Sequence, residues 1–174
     1  DTGSLIDLSR ARDIETLIVT EGMEGHERLG QLHAFGIRNG ATVRLEGGFS
    51  EDVNLFFGEG IGDAVNLELN VGDTHDWTLN IAHNTNTLNI DSQLNENWLQ
   101  MGSFGGTLRT INVSGDAPLH IENDLDDTFL DSRPATINAS ANTGGIEILL
   151  SHDDALDIWG TAEHDDITVN HGGD

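Results

Sequence analysis

One short pattern, Thr-apolar-Asn-apolar, constrains this chain more than any other feature. It occurs as Thr78-Leu79-Asn80-Ile81, Thr87-Leu88-Asn89-Ile90, Thr110-Ile111-Asn112-Val113 and Thr136-Ile137-Asn138-Ala139. Val53-Asn54-Leu55 and Val65-Asn66-Leu67 are shorter versions. Asn66, Asn89, Asn112 and Asn138 stand 23, 23 and 26 residues apart. Apolar neighbours keep a similar step: Ile18, Val43, Leu67, Ile90, Ile111, Ile137 and Ile158. A second series lies midway: Leu55, Leu79, Leu99, Ile121, Ile148 and Ile167. A repeat of 20–26 residues holding two strand-like runs is the mark of a solenoid. The expectation is an all-β fold, a right-handed parallel β-solenoid (β-helix or β-roll) with two strands per coil. Inward apolar residues would stack between two sheets, and matching Asn side chains would form ladders along the stack.

The strand-like runs are short, alternate apolar with polar residues, and are separated by Gly, Asn, Asp and Ser. A β-sandwich of antiparallel hairpins is the competing architecture, since it also spaces strands roughly 8–12 residues apart. The Asn register at about twice that spacing favours the solenoid. Two segments break the alternation. Glu27–Phe35 places Leu29, Leu32 and Phe35 three apart, and Leu94–Met101 places Leu94, Trp98 and Met101 at similar intervals. Both are expected to be short helical excursions (27–35 and 94–101), or caps covering an end of the stack. Residues 1–174 are read as a single β-solenoid domain, an excised or processed fragment of a larger protein, because the pattern is cut at both ends.

Charge narrows the partners. The chain has 31 Asp and Glu against seven Arg, no Lys, and a formal net charge of -24. Such a surface repels phosphates and anionic lipid, so neither nucleic acid nor membrane insertion is expected. Divalent cations are attracted. An acidic disordered tail fits poorly, because 36 % of the residues are apolar and they cluster in β-branched runs. No cysteine is present, so thiol chemistry and disulfides are excluded. No apolar run reaches the roughly 18 residues of a membrane span. The Asp1-Thr2-Gly3-Ser4 start has neither the basic nor the apolar part of a leader.

The stretch Leu108–Asn170 resembles the β-solenoid regions of bacterial surface-layer proteins and related giant surface proteins that carry RTX calcium repeats. The residues that carry the likeness are Leu108-Arg109-Thr110-Ile111-Asn112-Val113-Ser114-Gly115, the turn Ile137-Asn138-Ala139-Ser140-Ala141-Asn142-Thr143-Gly144-Gly145, and the final Gly160 to Ile167 step. Ile6-Asp7-Leu8-Ser9 and Ile14-Glu15-Thr16-Leu17 resemble the family's coil more loosely. The resemblance implies an extracellular, cell-surface location, secretion by a type I route, and calcium as the cofactor of the full protein.

An RTX repeat, G-G-x-G-x-D-x-hydrophobic-x, turns on glycines whose carbonyls face inward, and its Asp closes the calcium site. The nearest match is Gly160-Thr161-Ala162-Glu163-His164-Asp165-Asp166-Ile167-Thr168, with Gly160, Asp165 and Ile167 at family positions. Thr161 and Glu163 stand where the second and third glycines belong, which puts the tight turn in doubt. Gly172-Gly173-Asp174 could open a further repeat. Other candidate ligands are Asp166, Asp63 in the glycine-acid loop Gly58–Asp63, and Asp153 with Asp154 after His152. Asp124-Leu125-Asp126-Asp127 is a further acidic gap. Each of these loops reads more readily as a solvated corner between strands.

Catalysis finds no support. The eight His form no ligand-spaced pair, and there is no nucleophile elbow or defensible Ser–His–Asp order. Solenoid glycosidases and lyases use paired acids with basic residues and aromatic platforms. This chain has acids in plenty but nine aromatics and no Tyr, with Trp77, Trp98 and Trp159 scattered and read as core or cap. The expected function is therefore structural: a scaffold segment of a calcium-dependent, S-layer-like surface assembly, contacting copies of itself or neighbouring domains. The alternatives are a stalk or ligand-binding module of an RTX adhesin, recognising a glycan or cell-surface polysaccharide, and, more weakly, a polysaccharide-degrading β-helix.

Overall fold

The computed structural model describes residues 3–11, 13–20, 30–58, 64–72, 77–81, 85–104, 107–123, 134–151 and 155–170. Among them lie fifteen strands and no helix: β1 (Gly3–Asp7), β2 (Thr16–Thr20), β3 (Gly30–Ile37), β4 (Thr42–Glu46), β5 (Val53–Phe57), β6 (Ala64–Asn70), β7 (Thr78–Ile81), β8 (Thr87–Ser92), β9 (Asn97–Met101), β10 (Thr110–Gly115), β11 (Leu119–Asn123), β12 (Thr136–Asn142), β13 (Ile146–Ser151), β14 (Asp157–Trp159) and β15 (Asp166–Asn170). The odd strands form one sheet in the order β1-β3-β5-β7-β9-β11-β13-β15. The even strands form the other, β14-β12-β10-β8-β6-β4-β2. Every paired strand runs parallel to its neighbour. The chain thus lays one strand in each sheet per coil, which is the two-sheet parallel β-solenoid expected from the repeat.

Period-two alternation decides which side chains enter the core. In β6 the burial alternates residue by residue, with Val65, Leu67 and Leu69 inward. Register then stacks inward residues into columns. One column in the even sheet is Val65, Leu88, Ile111, Ile137 and Ile158. Its neighbour is Leu17, Val43, Leu67, Ile90 and Val113. Both sheets close on a single apolar core. Each fully buried Leu or Ile contributes roughly 1.5–3 kcal/mol of burial free energy.

These columns correct the apolar series proposed from spacing. Ile90 pairs with Val113, and Ile111 belongs with Leu88, two residues earlier. A slip of two preserves the face, so the residues still point inward. Ile18 is a slip of one: it pairs with Arg44, points outward and is exposed, while Leu17 holds the column. In the odd sheet Leu99, Ile121, Ile148 and Ile167 do align. Leu55, however, pairs with Ile81, and Leu79 with Met101. Coils of unequal length cause the slips.

Neither expected helical excursion is a helix over its described residues: 30–35 lies in β3, and 94–101 is a bend followed by β9. In β3 Leu32 and Ala34 point inward two apart, and the next inward residue is Ile37, three further on, because the register shifts between Phe35 and Ile37. Gly36 makes this possible at φ 71°, where its missing Cβ lets the Ser9 backbone approach. Phe35 turns outward and stacks on Phe56, its register partner, with ring centroids 4.1 Å apart. In the second segment Leu94 is no helix-face residue. It occupies a left-handed corner at φ 68° and is exposed, after which Leu99 and Met101 point inward as β9 residues.

The Asn ladder forms as anticipated over three coils and then stops. Asn66, Asn89, Asn112 and Asn138 are register partners on the outer face of the even sheet. Asn89 Nδ2 donates to Asn66 Oδ1 at 2.9 Å, and Asn112 Nδ2 donates to Asn89 Oδ1 at 2.9 Å. Asn138 leaves the ladder. Its Oδ1 accepts from the Ser140 N–H and hydroxyl beside the register shift that follows Asn112. Asn89→Asp removes a donor and sets a carboxylate against Asn66 Oδ1, so it is expected to cost about 1–2 kcal/mol in urea denaturation. Asn138→Asp keeps an acceptor for Ser140 and is expected to stay within about 0.5 kcal/mol of the parent.

Candidate functional site

The outer face of the odd sheet carries the most unusual side-chain group. Trp98 on β9, His120 on β11, Glu147 on β13 and Asp166 on β15 are successive register partners, one per coil. An outward His would ordinarily be wet, yet His120 is only 4 % exposed. Trp98 explains the burial: its ring lies flat on the imidazole, with centroids 3.3 Å apart and planes 10° apart. Glu147 Oε2 comes within 3.1 Å of Nδ1, and Glu122 Oε2 within 3.8 Å of Nε2. Neither contact has hydrogen-bond geometry, so both ring nitrogens are buried without a hydrogen-bond partner. Beside His120 opens a cavity of about 240 Å³, whose walls include Glu96, Glu147, His164, Asp166 and the Gly144–Gly145 turn.

The RTX-like step sits against this wall. Gly160 and Asp165 are brought together as the motif requires, so closely that a Cβ at Gly160 would strike Asp165 Oδ2. The carboxylate then closes the turn with protein donors. Oδ2 accepts from the Thr161 N–H at 2.8 Å, and Oδ1 accepts from the Thr161 hydroxyl at 2.7 Å and from the Ile146 N–H at 3.3 Å. Thr161, the residue in place of a glycine, therefore supplies two of the three bonds. A cation at Asp165 would compete with these donors. Asp166 faces the other way, on the outer surface beside Glu147. Asp63, Asp153 and Asp154 lie outside the described residues, as do Asp124–Asp127 and Gly172–Asp174. Among the described residues, no three His, Asp or Glu side chains already converge as a metal-binding group.

Elsewhere the electrostatics are local. Arg44 hydrogen-bonds Glu68 across one rung and also approaches Glu46 at 3.9 Å. The hydrogen bond to Glu68, and then its charge, raise the Arg44 guanidinium above its ordinary value. Hydrogen bonds from Ser9 hold the Asp7 carboxyl below its ordinary value. Trp159, expected in the core or as a cap, pairs with Asn138 on the outer face and is 61 % exposed. Trp77 is buried in the core.

One structural centre went unread in the sequence. Asn97 is fully buried at a corner, where its Oδ1 accepts from Val71 N at 2.7 Å and Gly72 N at 3.3 Å. Its Nδ2 donates to Ser92 Oγ at 2.9 Å, Gln93 O at 3.2 Å and Asn95 O at 2.8 Å. The available signal was an Asn one residue before Trp98, at the inward parity of an alternating run. Asn142 acts similarly: its Nδ2 donates to Ala117 O and its Oδ1 accepts from Gly144 N.

Fold and register place the chain in the class of two-sheet parallel β-solenoids. No family model, no curated protein and no solved structure matches it significantly. Among the described residues no helix is long and apolar enough to cross a membrane.

Proposed function

We propose that the chain is a structural repeat module, a stiff scaffold segment of a calcium-dependent assembly on a bacterial cell surface, and that it works by stacking and surface contact rather than by catalysis. The observation that carries this reading is the continuous parallel stack, in which β15 is the outermost strand of its sheet among the described residues. Ile167 and Val169 are aligned with the core columns of β13 but stand 41 % and 42 % exposed. Half-covered inward residues on an outermost parallel strand form a surface onto which another coil fits. Such a coil would come from a neighbouring domain or a second copy.

Calcium enters through charge. Glu68 and Asp91 are direct cross-strand neighbours, and so are Glu147 and Asp166. Like charges opposite each other destabilise a sheet, and a divalent ion relieves them. The likeness to RTX surface-layer solenoids supports the same reading, and with it an extracellular location. The adhesin alternative, a module that binds a glycan, draws on one observation: His33, Phe35 and Phe56 form an outward aromatic group on the odd sheet. The test is calcium addition to chelator-treated protein, followed by light scattering and thermal melting. Calcium is expected to raise the melting temperature and drive assembly that chelator reverses. Neither change up to about 10 mM, tenfold above the weakest extracellular calcium modules, would sink the proposal.

A further inference from the structure

The geometry points to a binding site for one divalent transition-metal ion of the zinc class, nucleated by His120 Nδ1 and the Glu147 carboxylate. This site is not the Asp165 corner of the RTX-like turn, although His164 and Asp166 of that step stand beside it, and it differs from the calcium proposed for the Glu147–Asp166 carboxylates in taking an imidazole nitrogen. Four observations lead to it.

The first is the orphaned imidazole. His120 is almost wholly buried and neither nitrogen has a hydrogen-bond partner. Leaving a buried polar group unsatisfied is costly, and a bound ion is one of the few things that repays it. The second is spacing. Two ligands, each about 2.0–2.1 Å from one tetrahedral zinc ion, stand about 3.3 Å apart. His120 Nδ1 and Glu147 Oε2 are 3.1 Å apart, with the oxygen off the hydrogen-bonding direction. The pair thus has the bite of a shared ion without the geometry of a hydrogen bond.

The third observation is the ring's rigidity. Trp98 stacks on the imidazole face and fixes its plane, so the direction of Nδ1 is set before any ion binds. The fourth is the supply of further donors. Asp166 follows Glu147 in the register column, and Asp166 and His164 line the same cavity. Both are exposed, so their side chains can turn toward the ion. Three donors do not already converge among the described residues, so the ion itself draws the third one in, and water completes the shell.

Donor chemistry sets the metal class. Imidazole with carboxylate suits zinc, copper or nickel, whereas calcium takes six to eight oxygens. A bound ion would tie β11 to β13, and β15 with them if Asp166 or His164 is the third ligand.

The test is a cobalt(II) titration of the chelator-treated 174-residue chain, read by visible absorption, with about 5 mM calcium present to occupy oxygen-only surface sites. One equivalent of cobalt is expected to bind and to be displaced by zinc. His120→Gln is expected to abolish that equivalent. Glu147→Gln, at a half-exposed side chain whose loss leaves the fold intact, is expected to weaken it by at least ~10-fold. Glu122→Gln, facing the other ring nitrogen, is expected to change affinity by less than ~2-fold. Equal affinity in the parent and in Glu147→Gln would overturn the site, as would the absence of any tight equivalent.

Discussion

Asn97→Leu is expected to be among the most damaging single substitutions in the chain, lowering stability by about 3–5 kcal/mol. Leucine shares the branched outline, though it is larger, and suits the apolar parity of the position, so hydrophobicity alone would favour it. The hydrogen bonds decide otherwise. Asn97 satisfies the Val71 N–H at 2.7 Å and reaches the Gly72 N–H, while its amide group supplies Ser92, Gln93 and Asn95. It joins the corner after β6 to the corner after β8, to which Asn95 Nδ2 adds only one longer bond, to Asn70 Oδ1 at 3.4 Å. Leucine would leave a buried backbone N–H without a partner, at about 1–3 kcal/mol, and release the carbonyls that shape the left-handed turn at Leu94. Asn97→Asp is a sharper companion. It keeps the acceptor for Val71 but loses every donor and buries a charge, so it should be at least as harmful. Urea denaturation followed by far-ultraviolet circular dichroism measures both. A loss below about 1 kcal/mol for Asn97→Leu would mean that the corner reorganises around the missing amide.

What the sequence disclosed and what it hid divide along physical lines. The coil is legible because it obeys two local rules: alternation within a strand, and repetition of Thr-apolar-Asn-apolar near every second run. Asn66, Asn89 and Asn112 are legible as a ladder because the two coils between them are equally long, 23 residues each. Elsewhere coil length varies. Leu5 pairs with His33, 28 positions on, and Glu147 pairs with Asp166, 19 positions on. No fixed period can then identify partners, and apolar residues are assigned to the right face but the wrong column. Phe35 and Leu94 misled for another reason. Their apolar character mimics a helical stripe, but one is an outward stacking residue and the other a corner residue, and only a bulge or a left-handed turn explains the spacing. The His120 group is hidden more thoroughly. Trp98, His120, Glu147 and Asp166 form no local motif and become neighbours only once the register is known. The acidic loops show the reverse. Gly160 and Asp165 are readable as a pair, and the structure does bring them together, but the donors they meet come from Thr161 and Ile146.

Gly115→Ala should rival the Asn97 substitutions, and a second glycine isolates the reason. Gly115 ends β10 at φ 106°, directly over Ser92 of the preceding coil. Just beyond it the Asp116 and Ala117 N–H groups both donate to the Ser92 carbonyl, at 3.1 and 3.2 Å. The Gly115 carbonyl in turn accepts from the Thr143 N–H of the next coil at 2.9 Å. A Cβ here would be driven into the Ser92 carbonyl oxygen, which is backbone held by two hydrogen bonds and has little room to move. Alanine must either break those bonds or prise two coils apart. Gly40 has a similarly left-handed φ of 83°, but nothing lies within 4 Å of its added Cβ. Gly40→Ala therefore carries only the conformational cost, about 1 kcal/mol. Gly115→Ala carries that cost plus the steric one, about 3 kcal/mol or more in total. The difference between the two midpoints in urea measures how tightly one coil presses on the next. Equal losses for both variants would show that the coils yield at the corner. The stack would then be softer than a stiff scaffold requires, and the proposed function would weaken with it.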